Sequence, residues 1–120
     1  MKKSEAMRKA SVIYGVDFQS SNTHFSKINK SLPVWWLEVS LKKVNSTKIQ
    51  NLFFLLEDGD SIHLLNIPTK FLRKNKSGFY TRKDNDKDHI CFRIDVKSYR
   101  ELMGTKRQMM KEFMVLPPSA

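Results

Sequence analysis

Asn51-Leu52-Phe53-Phe54-Leu55-Leu56-Glu57-Asp58-Gly59-Asp60-Ser61-Ile62-His63-Leu64-Leu65-Asn66-Ile67-Pro68 is the stretch that decides the fold. Residues 52–56 are apolar at every position, so a strand made of them has no polar face. Such a strand belongs in the middle of a sheet, covered on both sides. Asp58-Gly59 follows, a pair favoured in tight hairpin turns because glycine adopts positive φ without a Cβ clash. Ser61 to Ile67 returns as the partner strand, and Pro68, with no N–H for the ladder, ends it. The expectation is a hairpin whose first strand, 51–57, is central.

Upstream, Trp35, Leu37, Val39 and Leu41 alternate with Trp36, Glu38, Ser40 and Lys42. That period of two is the mark of a half-buried strand. Trp36 falls on its polar side, either as an outward stacking ring or covered by the N-terminal segment. Ser4 to Tyr14 is rich in helix formers, with Ser4 placed to cap it and Gly15 to stop it. Residues 17–33 are polar and aperiodic and read as a surface loop or ordered arm closed by Pro33.

Downstream, Thr69 is placed to cap a short helix to about Asn75. Phe79–Arg82 and Ile90–Val96 predict a second hairpin across the polar loop Lys83–His89. Phe79 and Tyr80 are neighbours on a strand, so one of them must serve the core and the other point outward. Ser98 then opens a helix to about Met114, with Leu102, Met109, Met110 and Phe113 inward and Gly104 interrupting it. The fold class is α+β: an antiparallel meander of about five strands with an N-terminal helical segment and a C-terminal helix. The 120 residues read as one domain, with a helix and arm at 1–33, the sheet at 34–97 and the last helix at 98–116.

The chain carries a formal charge of +10. Lys70, Arg73, Lys74, Lys76, Arg82 and Lys83 follow one another with no acid between them, and Phe79 and Tyr80 lie within the run. Charge on this scale attracts polyanions and makes nucleic acid the first partner to consider. Lys2, Lys3, Arg8 and Lys9 crowd the N-terminus, and Lys97, Arg100, Lys106, Arg107 and Lys111 the last segment. The candidate nucleic-acid-binding set is Lys70, Arg73, Lys74, Lys76, Tyr80, Arg82, Lys83 and Arg107, with Tyr80 offered to an unpaired base. DNA and RNA are equally open at this point. An acidic protein surface is the alternative partner, and a solvated charged face is the plain alternative for the run itself.

Other classes find little support. The longest apolar run, Leu52–Leu56, is far short of the roughly 20 residues that cross a bilayer. Lys2 and Lys3 have no apolar stretch behind them, so no secretory leader is expected, and a cytoplasmic protein is the simplest reading. Cys91 is the single cysteine, which rules out an internal disulfide or a cysteine-based zinc site. There is no Gly-rich phosphate loop and no G-x-S-x-G, and no cofactor or catalytic residue is expected. His63 and His89 could form an acid–base pair for RNA cleavage, though no local motif joins them.

Two resemblances bear on this. Asp95-Val96-Lys97, after an apolar strand, resembles the second half of the PD-(D/E)xK nuclease pattern. The resemblance implies a metal-holding Asp95, with Asp58, Asp60 or Glu38 as a second carboxylate. An exposed strand face of Arg93, Asp95 and Lys97 ion pairs explains the same residues. Asn29-Lys30-Ser31 through Val34-Trp35-Trp36-Leu37-Glu38-Val39, with Leu64-Leu65-Asn66-Ile67-Pro68-Thr69-Lys70-Phe71-Leu72, resembles small uncharacterised bacterial and phage proteins with paired aromatics and an Ile-Pro-Thr turn. This second resemblance spans about residues 25–100 and implies a fold and an origin, with no activity and no functional residue carried over.

Overall fold

The computed structural model describes residues 1–84 and 87–118. In chain order the elements are α1 (Lys3–Tyr14), β1 (Thr23–Ser26), β2 (Val34–Ser40), α2 (Leu41–Asn45), β3 (Asn51–Asp58), β4 (Ser61–Pro68), α3 (Thr69–Lys74), β5 (Tyr80–Asp84), β6 (Lys87–Asp95) and β7 (Met114–Val115). Short 3₁₀ turns at Ser20–Asn22, Lys76–Gly78 and Met110–Phe113 complete the list. The strands form two sheets, ordered β1-β3-β4-β7 and β2-β6-β5.

The central hairpin forms as its residues demand. Asp58 pairs with Ser61, leaving Gly59 and Asp60 as a two-residue loop. Gly59 takes φ 60° at the first loop position, where a type II′ turn requires it. β3 lies between β1 and β4 and is covered on both faces. Leu52, Phe54 and Leu56 face the second sheet, where they meet Trp35, Leu37, Val39, Ile90, Phe92 and Ile94. Leu55 and Phe53 face α1, packing with Ala6, Ala10 and Tyr14. Those three helix residues are four apart and make one stripe. The apolar run is therefore continuous because two cores share one strand. A fully buried Leu or Phe contributes about 1.5–3 kcal/mol, so this strand anchors both cores. Trp35 ties the sheets together, its indole N–H donating to Glu57 O at 2.8 Å.

The single antiparallel meander is not what forms. Ser40 Oγ accepts from Lys43 N and caps α2, which lifts the chain out of the second sheet at Leu41. β3 therefore starts a different sheet, and the apolar alternation expected to run through Leu41 stops one residue short. The polar arm contributes β1, which pairs parallel with β3, Thr23 opposite Phe53. Parallel partners need a long crossover, and here β2 and α2 supply it.

The C-terminal helix over 98–116 is also absent. Tyr99 and Arg107 have φ of 63° and 49°, which no right-handed helix allows. The segment runs instead beside β6, with bridges from Ile94 to Glu101 and Arg100 to Met109. Glu101 causes this. Its fully buried carboxylate accepts the N–H groups of Arg93 at 3.0 Å, Met103 at 3.0 Å and Gly104 at 2.6 Å. Met110 still reaches the core, from a 3₁₀ turn.

Two helices also begin at other residues than expected. Lys2, not Ser4, holds the N-cap position of α1 and makes no side-chain cap. Thr69 is the first residue of α3 and spends its hydroxyl on Ile49 O at 2.6 Å. The second hairpin pairs Tyr80–Asp84 with Lys87–Cys91, and positions 85–86 of its expected loop lie outside the described residues.

Gly104 is buried against Gly78 and Phe79, and a Cβ there would lie 2.7 Å from Phe79 Cα. Gly104→Ala should therefore cost about 3 kcal/mol, in the range of core overpacking. Gly59→Ala, in open space at positive φ, should cost about 1–2 kcal/mol. Urea unfolding of both variants checks the ranking, and equal midpoints would show that residues 98–109 do not bear on Gly78.

Candidate nucleic-acid interface

β2 runs into α2 and β4 into α3, so both short helices stand at the same end of the sandwich. They touch directly: Arg73 Nη1 donates to Val44 O at 2.9 Å and to Thr69 Oγ1 at 3.2 Å. Residues 41–50 and 69–76 contain Lys42, Lys43, Lys48, Lys70, Arg73, Lys74 and Lys76 and no acid. The other end holds Glu57, Asp58 and Asp60 at the β3–β4 turn. The eight residues of β3 separate these ends by about 25 Å. The α2–α3 end is therefore uniformly basic, whereas the far end mixes the acids of the turn with Lys27, Lys30, Lys97 and Lys111.

Two grooves flank α2 at this end. One of about 380 Å³ is lined by Thr47, Gln50, Asn51, Lys70 and Arg73 among others. The second, about 490 Å³, is lined by Ser40, Lys42, Asn45, Lys87, Asp88 and His89 among others. Lys76 Nζ donates to Asn45 Oδ1 at 3.2 Å and so joins this corner.

The expected site residues divide into three groups. Lys70, Lys74 and Lys83 are exposed and make no ion pair with a carboxylate among the described residues. Arg73, Arg82 and Arg107 are engaged: Arg73 holds α2 to α3, Arg82 pairs with Glu38 at 2.9 Å, and Arg107 donates to Leu102 O. Lys76 is half-buried on Asn45. Tyr80 is 43% exposed while Phe79 is 5% exposed and in the core, which is the division their adjacency required. The terminal clusters converge only in part. Lys106 N donates to Gly78 O at 3.0 Å and its Nζ lies 5.9 Å from the Phe71 ring, so this cation flanks α3. Lys3 of α1 approaches Lys43 of α2 closely enough to be lowered in pKa, after burial, by that neighbour. Lys42, Lys43, Lys48 and Lys87 complete the basic end; the acid-free string 41–50 signals the first three, while Lys87 stands between Asp86 and Asp88 and carries no such signal.

The remaining constellations are pulled apart or occupied. Asp95 accepts from Ser98 N and Ser98 Oγ, each at 2.8 Å, and those bonds hold its carboxyl below the usual range. Among the described residues no three His, Cys, Asp or Glu side chains gather as a metal site would need. His63 sits by Asp58 at 3.2 Å and against Trp35, whereas His89 pairs with Ser40. Trp35 and Ser40 are five residues apart on β2, about 17 Å, so the two histidines cannot share one phosphodiester. Cys91 is buried beside Glu38, and burial followed by that carboxylate pushes its thiol up. Among the described residues no helix is long and apolar enough to cross a membrane.

Comparison with known proteins returns no match of any kind, neither a family model, nor a curated relative, nor a solved structure.

His24 reports on the cationic corner. Burial, then Lys43 and Lys3, lower its pKa from 6.5 to about 4. A base with a depressed folded pKa is protonated more readily when unfolded, so acid favours the unfolded state. Stability contributed by neutral His24 is whole above pH 6.5 and lost as pH falls toward about 4. Thermal melts of the wild type should drop between pH 6.5 and about 5, and His24→Gln should flatten that drop. Parallel curves for the two proteins would place the proton uptake elsewhere.

Proposed function

We propose that this chain is a non-enzymatic nucleic-acid-binding module that sets its α2–α3 end against the phosphate backbone. One observation carries the reading: two acid-free segments, far apart in sequence, bring seven lysines and arginines to one end of the molecule. Scattered solvating charge has no reason to segregate in this way. Phosphate contacts do, because each cation set near a phosphate releases condensed counterions. The acid-free density of cations at this end favours the approach of a polyanion there. Arg73 contributes by rigidity, holding the two helices that display Lys42, Lys70 and Lys74.

Neutralising Lys42, Lys70 and Lys74 together to Gln tests this. These side chains are exposed, so the fold should lose no more than about 0.5 kcal/mol per site. For duplex DNA, the loss of three phosphate contacts should flatten the log–log salt slope by about 2.7. A control with Lys27, Lys30 and Lys97 changed to Gln, away from the basic end, should leave the slope unaltered. If the wild type has no measurable affinity for DNA or RNA at about 50 mM salt, where such contacts are strongest, the reading fails. The charge would then belong to the solvated surface or to an acidic protein partner.

A further inference from the structure

The outer face of the β2-β6-β5 sheet lies opposite the inter-sheet core and adjoins the α2 end of the molecule. Pairing sets Trp36 opposite Arg93, then Glu38, Cys91 and Tyr80 in one row, then Ser40, His89 and Arg82 in the next. Paired residues share a face, and this face points away from the core. The one long helix, α1, packs on the other sheet, so among the described residues no helix lies across this one.

Its chemistry is aromatic and cationic. The Arg93 guanidinium lies 4.6 Å from the Trp36 ring centroid, a flat cation on a flat indole. Arg93 has no carboxylate partner among the described residues, and its Nε is buried with no hydrogen bond. Tyr80 is the most exposed aromatic ring of the described chain, at 43%. Glu38, in the middle of the face, is neutralised by Arg82. At one end the face opens into the groove beside α2, where Lys42, Lys87 and His89 line it together with Asp88. Base stacking surfaces and phosphate cations are therefore continuous.

From this we infer that the outer face of the β2-β6-β5 sheet binds single-stranded nucleic acid, stacking one base on Tyr80 and another on the Trp36–Arg93 pair. The inference rests on the basic end holding phosphates and adds the form of nucleic acid selected. Trp36 and Tyr80 are two strands and two residues apart, roughly 12 Å. Bases in a duplex are stacked about 3.4 Å apart and turned inward, so they cannot reach both surfaces. An unpaired, splayed strand can, and both aromatic rings and arginine planes accept any base face.

Fluorescence anisotropy with labelled oligo(dT) and oligo(U) of roughly 16 nucleotides, and with a duplex of equal length, tests this at about 50 mM salt. Tyr80→Ala should weaken both single strands about tenfold and leave the duplex unchanged, with Tyr80→Phe restoring the loss. Oligo(dT) should also quench tryptophan emission, and Trp36→Phe should abolish the quenching, because Trp35 is fully buried. Tyr80→Ala without effect, or an equal loss on single strand and duplex, overturns the stacking face. Sensitivity to the Lys42, Lys70 and Lys74 change with indifference to Tyr80→Ala would overturn it while leaving the phosphate end standing. No binding of either form overturns both.

Discussion

The buried carboxylate of Glu101 is the constraint on which the closed form of the molecule depends. A charged group out of water is tolerated only when its lone pairs are filled, and here three backbone N–H groups fill them. Two of those N–H groups belong to the turn that follows and one to β6. The bonds therefore fix where the chain goes after the second sheet. From this anchor Gly104 seats on Gly78, Lys106 reaches α3, and Met110 enters the core between the sheets. A helix over the same residues would have sent Glu101 into solvent and left the end of β6 unpaired.

This anchoring also explains the division of labour between the two sheets. In β1-β3-β4-β7 the central strand β3 is covered on both faces, by the second sheet and by α1. The β2-β6-β5 sheet is covered on one face, and its free face keeps Tyr80 and the Trp36–Arg93 pair half open to solvent. The basic end is set separately, by which strand ends carry helices. The corner where α2 meets α3 is positive because neither helix nor the loop after α2 contains an acid.

How much of this could be read from the residues follows from the range of the interactions. The β3–β4 hairpin is local, written in a five-residue apolar run and a glycine, and it was legible down to the central position of β3. The alternation of β2 and the opposed roles of Phe79 and Tyr80 were legible for the same reason. What could not be read is non-local. Nothing in Thr23-His24-Phe25-Ser26 announces a parallel strand until β3 is beside it, and helix-forming residues around Glu101 conceal a carboxylate that bonds its own following turn and Arg93 of β6. The candidate site was half legible: exposed Lys70, Lys74 and Lys83 stood out, but only contacts show that Arg73, Arg82 and Arg107 are already engaged. Charge density in a sequence counts cations without asking which are free.

The position of β7 has a consequence for the chain as it is made. Leu64 and Leu65 of β4 pair with Met114 and Val115, about fifty residues downstream. At about 5–20 residues per second of synthesis, that edge of the first sheet waits roughly 3–10 seconds on the ribosome before its partner exists. During the wait a nearly complete hairpin offers an unpaired edge rich in leucine, the kind of surface on which nascent chains associate. The last strand is short, yet it is the cap that ends this exposure.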